Sequence, residues 1–243
     1  GLIWSYINPL SQLFIYIVIF GVLLDRGRTE QFAVHVFCGF IVVHFFTETF
    51  SAGTRSMVRN KALIRKMALP KEMFPVASML VSLYHVAPQL LILLVTVFVV
   101  GWSPTPLGMA AFLLALGIVM LLGTALALMF SVANVFFRDF GSAVNILTNF
   151  VRFGVPMIYP YSLVSDRFGQ FAEYYLWNPL SNAVLLVQRE VSQLAVEFPG
   201  VSRAAAAEYL TYDSLKRSIQ ISFASVFVLI ALIALLSAVW FGL

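Results

Sequence analysis

The chain has 243 residues, of which 61% are hydrophobic, 15% aromatic and only 11% charged. Soluble domains carry about 25% charged residues, so this composition excludes an ordinary soluble protein, a disordered chain and a collagen-like fibre. The net charge of +4 bears on membrane topology rather than on nucleic acid, because Lys and Arg gather in the cytoplasmic loops of membrane proteins.

Six apolar stretches are long enough to cross a bilayer as helices, which takes about 20 residues each. The runs are continuous and lack ten-residue alternation, which favours helices over a strand barrel. We therefore predict an all-α membrane protein in which residues 1–243 form a single transmembrane domain. The predicted spans are 3–24, 32–56, 75–100, 107–134, 141–160 and 218–242.

The charges between spans two and three predict the orientation. This short loop has six basic residues and one acidic residue, which are Arg55, Arg59, Lys61, Arg65, Lys66, Lys71 and Glu72. The positive-inside rule makes it cytoplasmic, and six spans then place both termini in the cytoplasm. Residues 161–217 fall outside, and the apolar stretch near 180–196 within them is too short to span, so we predict a re-entrant or interfacial helix there.

Two predicted spans carry polar residues along one helical face. Span one has Asn8, Gln12 and Tyr16, and span five has Asn145, Asn149 and Arg152, with spacings of three or four residues. Polar side chains in hydrocarbon face protein or water. The two stripes therefore indicate either a hydrated path or hydrogen bonds that hold helices together, and both interpretations remain open.

Span two places an acidic residue inside the membrane. Glu48 follows His44 by one helical turn. At 1.5 Å per residue, Glu48 and Arg152 lie roughly 13 and 16 Å from the cytoplasmic ends of their spans. The matched depths predict a Glu48–Arg152 contact between spans two and five.

Motifs for chemistry are missing from the sequence. We find no Ser/His/Asp or Cys/His constellation, no paired carboxylates in an outer loop, no metal-ligand spacing around the single Cys38 and no phosphate-binding glycine loop. We therefore predict a chain that is not catalytic and holds no cofactor of its own; if ATP is used, another chain binds it.

Residues 59–74 read RNKALIRKMALPKEMF. Leu63 and Met67 lie one turn apart on this segment, the basic residues lie elsewhere on the wheel, and Pro70 ends the run. This predicts a short amphipathic cytoplasmic helix. It serves either as a loop that touches anionic lipid or as a docking helix for a soluble partner.

Five segments together resemble a known family. They are IWSYINPL at 3–10, RNKALIRKMALPKEMFPVAS at 59–78, NVFFRD at 134–139, VPMIYP at 155–160 and WNPLS at 177–181. In this order they resemble the permease subunit of ATP-binding-cassette polysaccharide exporters of the O-antigen and teichoic-acid class. Segment 59–78 is most similar to the actinobacterial (mycobacterial) galactan exporter.

The resemblance implies a homodimer in the inner membrane with two separate ATPase subunits, which bind ATP and Mg. Residues 59–70 correspond to the coupling helix, and the turn 134–139 lies on the same cytoplasmic face. Residues 161–217 correspond to outer gate helices, and the family's N-terminal interfacial helix is apparently absent from this chain. The implied ATPase-coupling residues are Arg59, Asn60, Lys61, Leu63, Ile64, Lys66, Met67, Pro70, Arg138 and Asp139.

The implied cargo is a polysaccharide on a polyprenyl diphosphate, which needs hydrogen bonds and flat aromatic faces along its route. We expect the path to be lined by Tyr6, Asn8, Gln12, Tyr16, Asn145, Asn149 and Tyr159. The outer gate would contain Tyr161, Tyr174, Trp177, Asn178 and Pro179, although an interfacial aromatic belt explains the outer aromatics equally well. Arg55 and Arg59 are candidates for contact with the diphosphate.

Three rival functions follow from the same residues. A membrane-embedded enzyme would need an acid/base or metal constellation that we do not find. An ion-coupled carrier would use His44, Glu48 and Arg152 as its relay. An exporter of the same architecture could carry teichoic acid, O-antigen or drugs.

Overall fold

The computed structural model describes residues 2–16, 18–19, 29–66, 70–99, 106–157, 167, 169 and 178–192. Over these ranges the regular structure is helical, which confirms the all-α prediction there. The helices are α1 (Leu2–Tyr16), α2 (Thr29–Arg59), α3 (Lys61–Lys66), α4 (Met73–Val99), α5 (Pro106–Phe136), α6 (Phe140–Gly154) and α7 (Pro179–Ser192). The predicted span 218–242 lies outside the described residues.

Helix α2 forms the axis of the bundle. Its side chains are buried almost continuously from Val34 to Phe50, and Phe37, Ile41 and Phe45 are fully buried. A helix that is apolar on all sides is covered on all sides. Helices α4, α5, α6 and α7 pack around it, and α1 packs against α2 and α4.

Helices α2 and α5 pack closely and run in the same direction. A Cβ added at Gly53 would lie 2.5 Å from the Cβ of Ala127, and one at Gly123 would lie 3.1 Å from the Cγ2 of Thr49. Small residues one turn apart on both helices let the two backbones approach. Because position 49 pairs with 123 and position 53 with 127, the C-terminal ends of α2 and α5 lie at the same end of the bundle.

Helix α6 runs antiparallel to α2 and is shorter than the predicted span 141–160. It ends at Gly154, and Val155 is extended with φ −101° and ψ 142°. The cause is Pro156, whose ring disfavours the helical conformation of the preceding residue. Fifteen helical residues extend only about 22 Å, and residues 155–157 continue as a buried bend along α2.

The short helix α3 follows α2 after a turn at Asn60, whose Nδ2 donates to the carbonyl of Ser56 at 2.8 Å. It has no buried residue. The N–H of Met73 donates to the carbonyl of Pro70 where α4 begins. A helix was predicted in this segment, and the structure describes it over Lys61–Lys66; Met67 lies outside the described residues.

Helix α7 falls in the segment near 180–196 where a re-entrant or interfacial helix is predicted; the structure describes a helix over Pro179–Ser192, and its re-entrant or interfacial placement stays a prediction. Asn178 caps it, since its Oδ1 accepts from the N–H of Leu180 at 3.0 Å. The helix is buried against α2 and α5. Nε2 of Gln188 donates to the carbonyls of His35, at 3.4 Å, and Met157, at 3.3 Å. These contacts place α7 toward the N-terminal half of α2, away from α3.

Three helices of the described part are long and apolar enough to cross a membrane. They are Val34–Arg59, Met73–Val99 and Met109–Phe136, and they match predicted spans two, three and four. Helices α1 and α6 are described over 15 residues each. The count of six spans therefore stays a prediction.

Candidate functional site

The ends of α2 and α5 are joined to the start of α6 by the side chain of Asn134. Its Nδ2 donates to the carbonyl of Thr54 at 3.2 Å, and its Oδ1 accepts from the N–H of Gly141 at 2.9 Å. Asn134 is buried, so both ends of the amide need partners. One amide thus links three helices.

Arg55 makes a second link between α2 and α6. Its Nη2 donates to the carbonyl of Gly141 at 3.2 Å and to Oδ1 of Asn145 at 2.5 Å. We call the set Thr54, Arg55, Asn134, Gly141 and Asn145 the polar junction. The sequence suggested Arg55 as a diphosphate contact, whereas the structure gives its guanidinium partners within the chain.

The polar junction brings the predicted ATPase-coupling residues to one end of the bundle. Because it ties the end of α2 to the turn between α5 and α6, helix α3 and the turn 137–139 lie at the same end. The described coupling residues are exposed, apart from the half-buried Ile64; they are Arg59, Asn60, Lys61, Leu63, Ile64, Lys66, Pro70, Arg138 and Asp139. This end therefore presents a basic surface that includes one exposed large apolar side chain of α3, Leu63.

Glu48 pairs with α4 and not with α6. Its Oε1 lies 2.7 Å from Nδ1 of His85, and its Oε2 lies 3.9 Å from Nδ1 of His44. Within the described part of the chain, no ion pair joins Glu48 to Arg152, so the predicted partner was wrong.

The register of α2 against α6 gives the reason. Arg55 contacts Gly141, and Gly39 approaches Met157; the two pairs are equally spaced along the antiparallel segments. Interpolation sets Arg152 level with His44, about one turn from Glu48, and the side chain of Arg152 is exposed. The estimate from span ends already left roughly 3 Å between the depths of Glu48 and Arg152, and the observed register widens that difference to about one turn.

The two predicted path stripes lie on different helices of the bundle. On α1, Tyr6 is exposed and Gln12 is half-buried, and its Oε1 has no hydrogen-bond partner among the described residues. Asn8 and Tyr16 belong to the same helix. On α6, Asn145 and Asn149 are exposed, and Asn145 is the one that Arg55 contacts.

The predicted gate is described only in part. Asn178 caps α7 and Pro179 begins it. Four predicted aromatic residues lie outside the described residues: Tyr159, Tyr161, Tyr174 and Trp177.

The polar junction is the feature that the sequence reasoning missed. A signal existed, because Asn134 is a polar residue in the last turn of a long apolar span, where a buried amide must find partners. The partners themselves depend on how α2 packs against α5. Among the described residues, no group of three His, Cys, Asp or Glu side chains could hold a metal ion.

A bundle with several membrane-length helices, a basic end and polar contacts that tie helix ends together defines a multi-pass membrane protein. Residues 1–188 match the family model described as ABC-2 type transporter, and the chain belongs to that family.

Curated relatives are similar at low identity. The chain is 25% identical over 186 residues to the O-antigen export system permease protein RfbA of Klebsiella pneumoniae, covering 76% of this chain and 70% of the relative. A protein of the same name from Myxococcus xanthus is 25% identical over 167 residues, covering 69% of this chain and 64% of the relative. The polysialic acid transport protein KpsM of Escherichia coli is 24% identical over 218 residues, covering 88% and 81%.

Proposed function

We propose that the chain is the transmembrane subunit of an ABC exporter that moves a polyprenyl-diphosphate-linked polysaccharide across the inner membrane. The observation that carries the proposal is the family match over residues 1–188. Relatives named for O-antigen export and for polysialic acid transport support a glycan cargo. Galactan is our choice of glycan, on the resemblance of segment 59–78, with teichoic acid, O-antigen or a drug as alternatives.

The energy source belongs to a separate ATPase subunit, with two copies in the complex, each holding its own ATP and Mg. Helix α3 is the docking element, because it is exposed, basic and carries Leu63 at 45% exposure. An apolar side chain among cations suits insertion into a cleft with an acidic rim. The exposed turn at Arg138 and Asp139 would add to the same interface.

The path lies between two copies of the chain. Helix α6 exposes Asn149 and Arg152 together with Phe150 and Phe153. Polar groups that faced lipid would be costly, whereas a hydrated corridor shared by two copies satisfies them and offers aromatic faces for sugar rings. The residues of α1, with Tyr6 and Gln12, complete the wall, and Tyr159 belongs to the same path.

The orientation follows from the basic end. The positive-inside rule places α3 in the cytoplasm, so that six spans leave both termini there. Helix α7 then lies toward the outer face, where it acts as part of the gate with Tyr161, Tyr174, Trp177, Asn178 and Pro179.

Docking of the ATPase tests this function. We expect Leu63→Asp to abolish co-purification of the ATPase subunit from detergent extracts, because a carboxylate replaces the apolar contact. The matched control is Met73→Asp, which puts the same group on an exposed apolar residue at the first position of α4, outside the named coupling residues, and keeps co-purification. Normal co-purification of Leu63→Asp would contradict docking through α3.

The Glu48–His85 pair favours one second candidate, an ion-coupled carrier, since ionisable residues inside a membrane often serve proton or ion movement. Export by cells whose ATPase subunit lacks its catalytic carboxylate separates the two. The ABC exporter loses export under that condition, and the ion-coupled carrier retains it.

A further inference from the structure

The polar junction lies between the two parts of the molecule that an exporter must connect. On one side, α2 leads through Asn60 into α3, the proposed docking helix. On the other side, α6 carries Asn149 and Arg152 of the proposed path. The hydrogen bonds of Arg55 and Asn134 bridge these parts directly.

We propose that Arg55 is a positioning residue that makes the start of α6 move as one body with the ends of α2 and α5, so that a displacement received at α3 reaches the path. This inference rests on the proposed function. It assigns to Arg55 a mechanical role in place of contact with the cargo.

The packing of α6 explains why such a link is needed. This helix buries only a narrow stripe at Val144 and Thr148, and its remaining faces are largely exposed. A helix held along one narrow stripe can slide or tilt against its neighbour. Hydrogen bonds to a charged donor are stronger and more directional than apolar contact, so the junction restricts this motion where α6 begins.

The two links have different chemistry, which separates their roles. Among the described residues, the hydrogen bonds of Asn134 join it to backbone atoms of Thr54 and Gly141, so it fixes the turn between α5 and α6. Arg55 also contacts a side chain of α6, Oδ1 of Asn145. Substitution at position 145 can therefore break or preserve the Arg55 contact without altering Arg55.

The experiment uses the complete complex with its ATPase subunit. Three variants are compared with the native chain: Arg55→Gln, Asn145→Leu and Asn145→Asp. The first two remove the contact, and the third keeps an oxygen for Arg55. ATP hydrolysis is measured on the purified complex, and export of the native lipid-linked glycan is measured in cells whose sole copy is the variant.

We expect Arg55→Gln and Asn145→Leu to lower export about tenfold while ATP hydrolysis stays within about twofold, as loss of a coupling free energy implies. Asn145→Asp, which keeps an acceptor for Arg55, loses clearly less export than Asn145→Leu. The double variant Arg55→Gln/Asn145→Leu exports no less than the more impaired of the two single variants, because both changes remove the same contact. Lys71→Gln, which removes a charge from an exposed residue at the same end, is the matched control and leaves both activities unchanged.

A second measurement follows the motion without depending on the cargo. Spin labels at Val58 on α2 and Ile146 on α6, both exposed, report the distance between the helix ends; the native Cys38 is buried. We expect the distance between the two labels of one chain to stay narrow with and without nucleotide in the native complex; complexes with one labelled and one unlabelled copy isolate this distance. In Arg55→Gln we expect a distribution that broadens when nucleotide binds.

Three outcomes would overturn the proposal: equal loss of export and ATP hydrolysis in a normally assembled complex, unchanged export in Arg55→Gln, or additive losses in the double variant. Additive losses would give Arg55 a separate role, such as contact with the diphosphate. Failure of the proposed function is distinguishable, because the native chain would then bind no ATPase subunit or would keep exporting when that subunit is inactive.

Discussion

Helices α2 and α6 run side by side in opposite directions, yet they are covered very differently. Phe45 of α2 has no exposed surface, whereas Phe150 of α6 is 73% exposed. α2 contacts helices on all sides, and α6 buries one stripe and leaves polar and aromatic faces open. Helix α2 is therefore the central helix held by its neighbours, whereas the exposed surface of α6 is available to a second copy of the chain or to cargo.

The difference also tells where substitutions should act. Changes on α2 remove or crowd atoms that have neighbours within the chain, so they should lower the stability of the monomer. Changes at matched positions on α6 should leave the monomer intact and act on assembly or transport.

The largest effect is expected for the buried aromatic residue. Phe45→Ala leaves a cavity inside the bundle and should lower the free energy of unfolding by about 3 kcal/mol, the low end for such truncations. The low end applies because lipid is as apolar as the core, so the variant loses packing contacts but no hydrophobic transfer energy. Phe150→Ala is the matched control and should change monomer stability by less than about 0.5 kcal/mol. Thermal unfolding in detergent, with the remaining folded protein quantified by size-exclusion chromatography, measures the stability of both variants. Equal losses would remove the distinction between the two helices.

A somewhat smaller effect is expected from adding one methyl group. Gly53→Ala places a Cβ 2.5 Å from that of Ala127, so α2 and α5 must separate, at a cost of about 1–3 kcal/mol. Gly154→Ala on α6 adds the same group where no atom lies within 4 Å of its Cβ position, and it should be tolerated. The same unfolding assay compares them. A stable Gly53→Ala variant would mean that α2 and α5 are not locked together.

The sequence predicted the long helices better than the contacts between them. Span two was placed at 32–56 because its apolar run is unbroken, and α2 contains it fully. Span five is predicted to reach residue 160 because apolar residues continue beyond Pro156. That proline, however, signals that the helix ends earlier, because it disfavours the helical conformation of the residue before it.

Side-chain partners across helices were harder to predict, since they depend on register. An error of one helical turn, about 5.4 Å, placed Glu48 level with Arg152, whereas the structure places His44 at that level. Likewise the partners of Arg55 follow from the parallel packing of α2 and α5, which small residues such as Gly53 and Gly123 permit. Short polar patterns in the sequence do not encode that packing.

The smallest effect concerns the corrected ion pair, and it tests the register directly. Glu48 and His85 are 24% and 53% exposed, so their contact is partly hydrated. A double-mutant cycle with Glu48→Gln and His85→Gln should give a coupling of about 0.6 kcal/mol, the usual size for polar contacts between membrane helices.

The cycle of Glu48→Gln with Arg152→Gln is the matched control and should give a coupling near zero, because Arg152 lies one turn away on the exposed side of α6. Both cycles use the unfolding assay in the same detergent, so their errors are shared. If the Arg152 cycle gave the larger coupling, α6 would have to shift along α2 by a turn. Such a shift would break the contacts of Arg55 with Gly141 and Asn145. The two double-mutant cycles therefore test the register of α2 against α6 and the polar junction together. The smallest of the three stability effects thus tests more of the helix packing than the two larger ones.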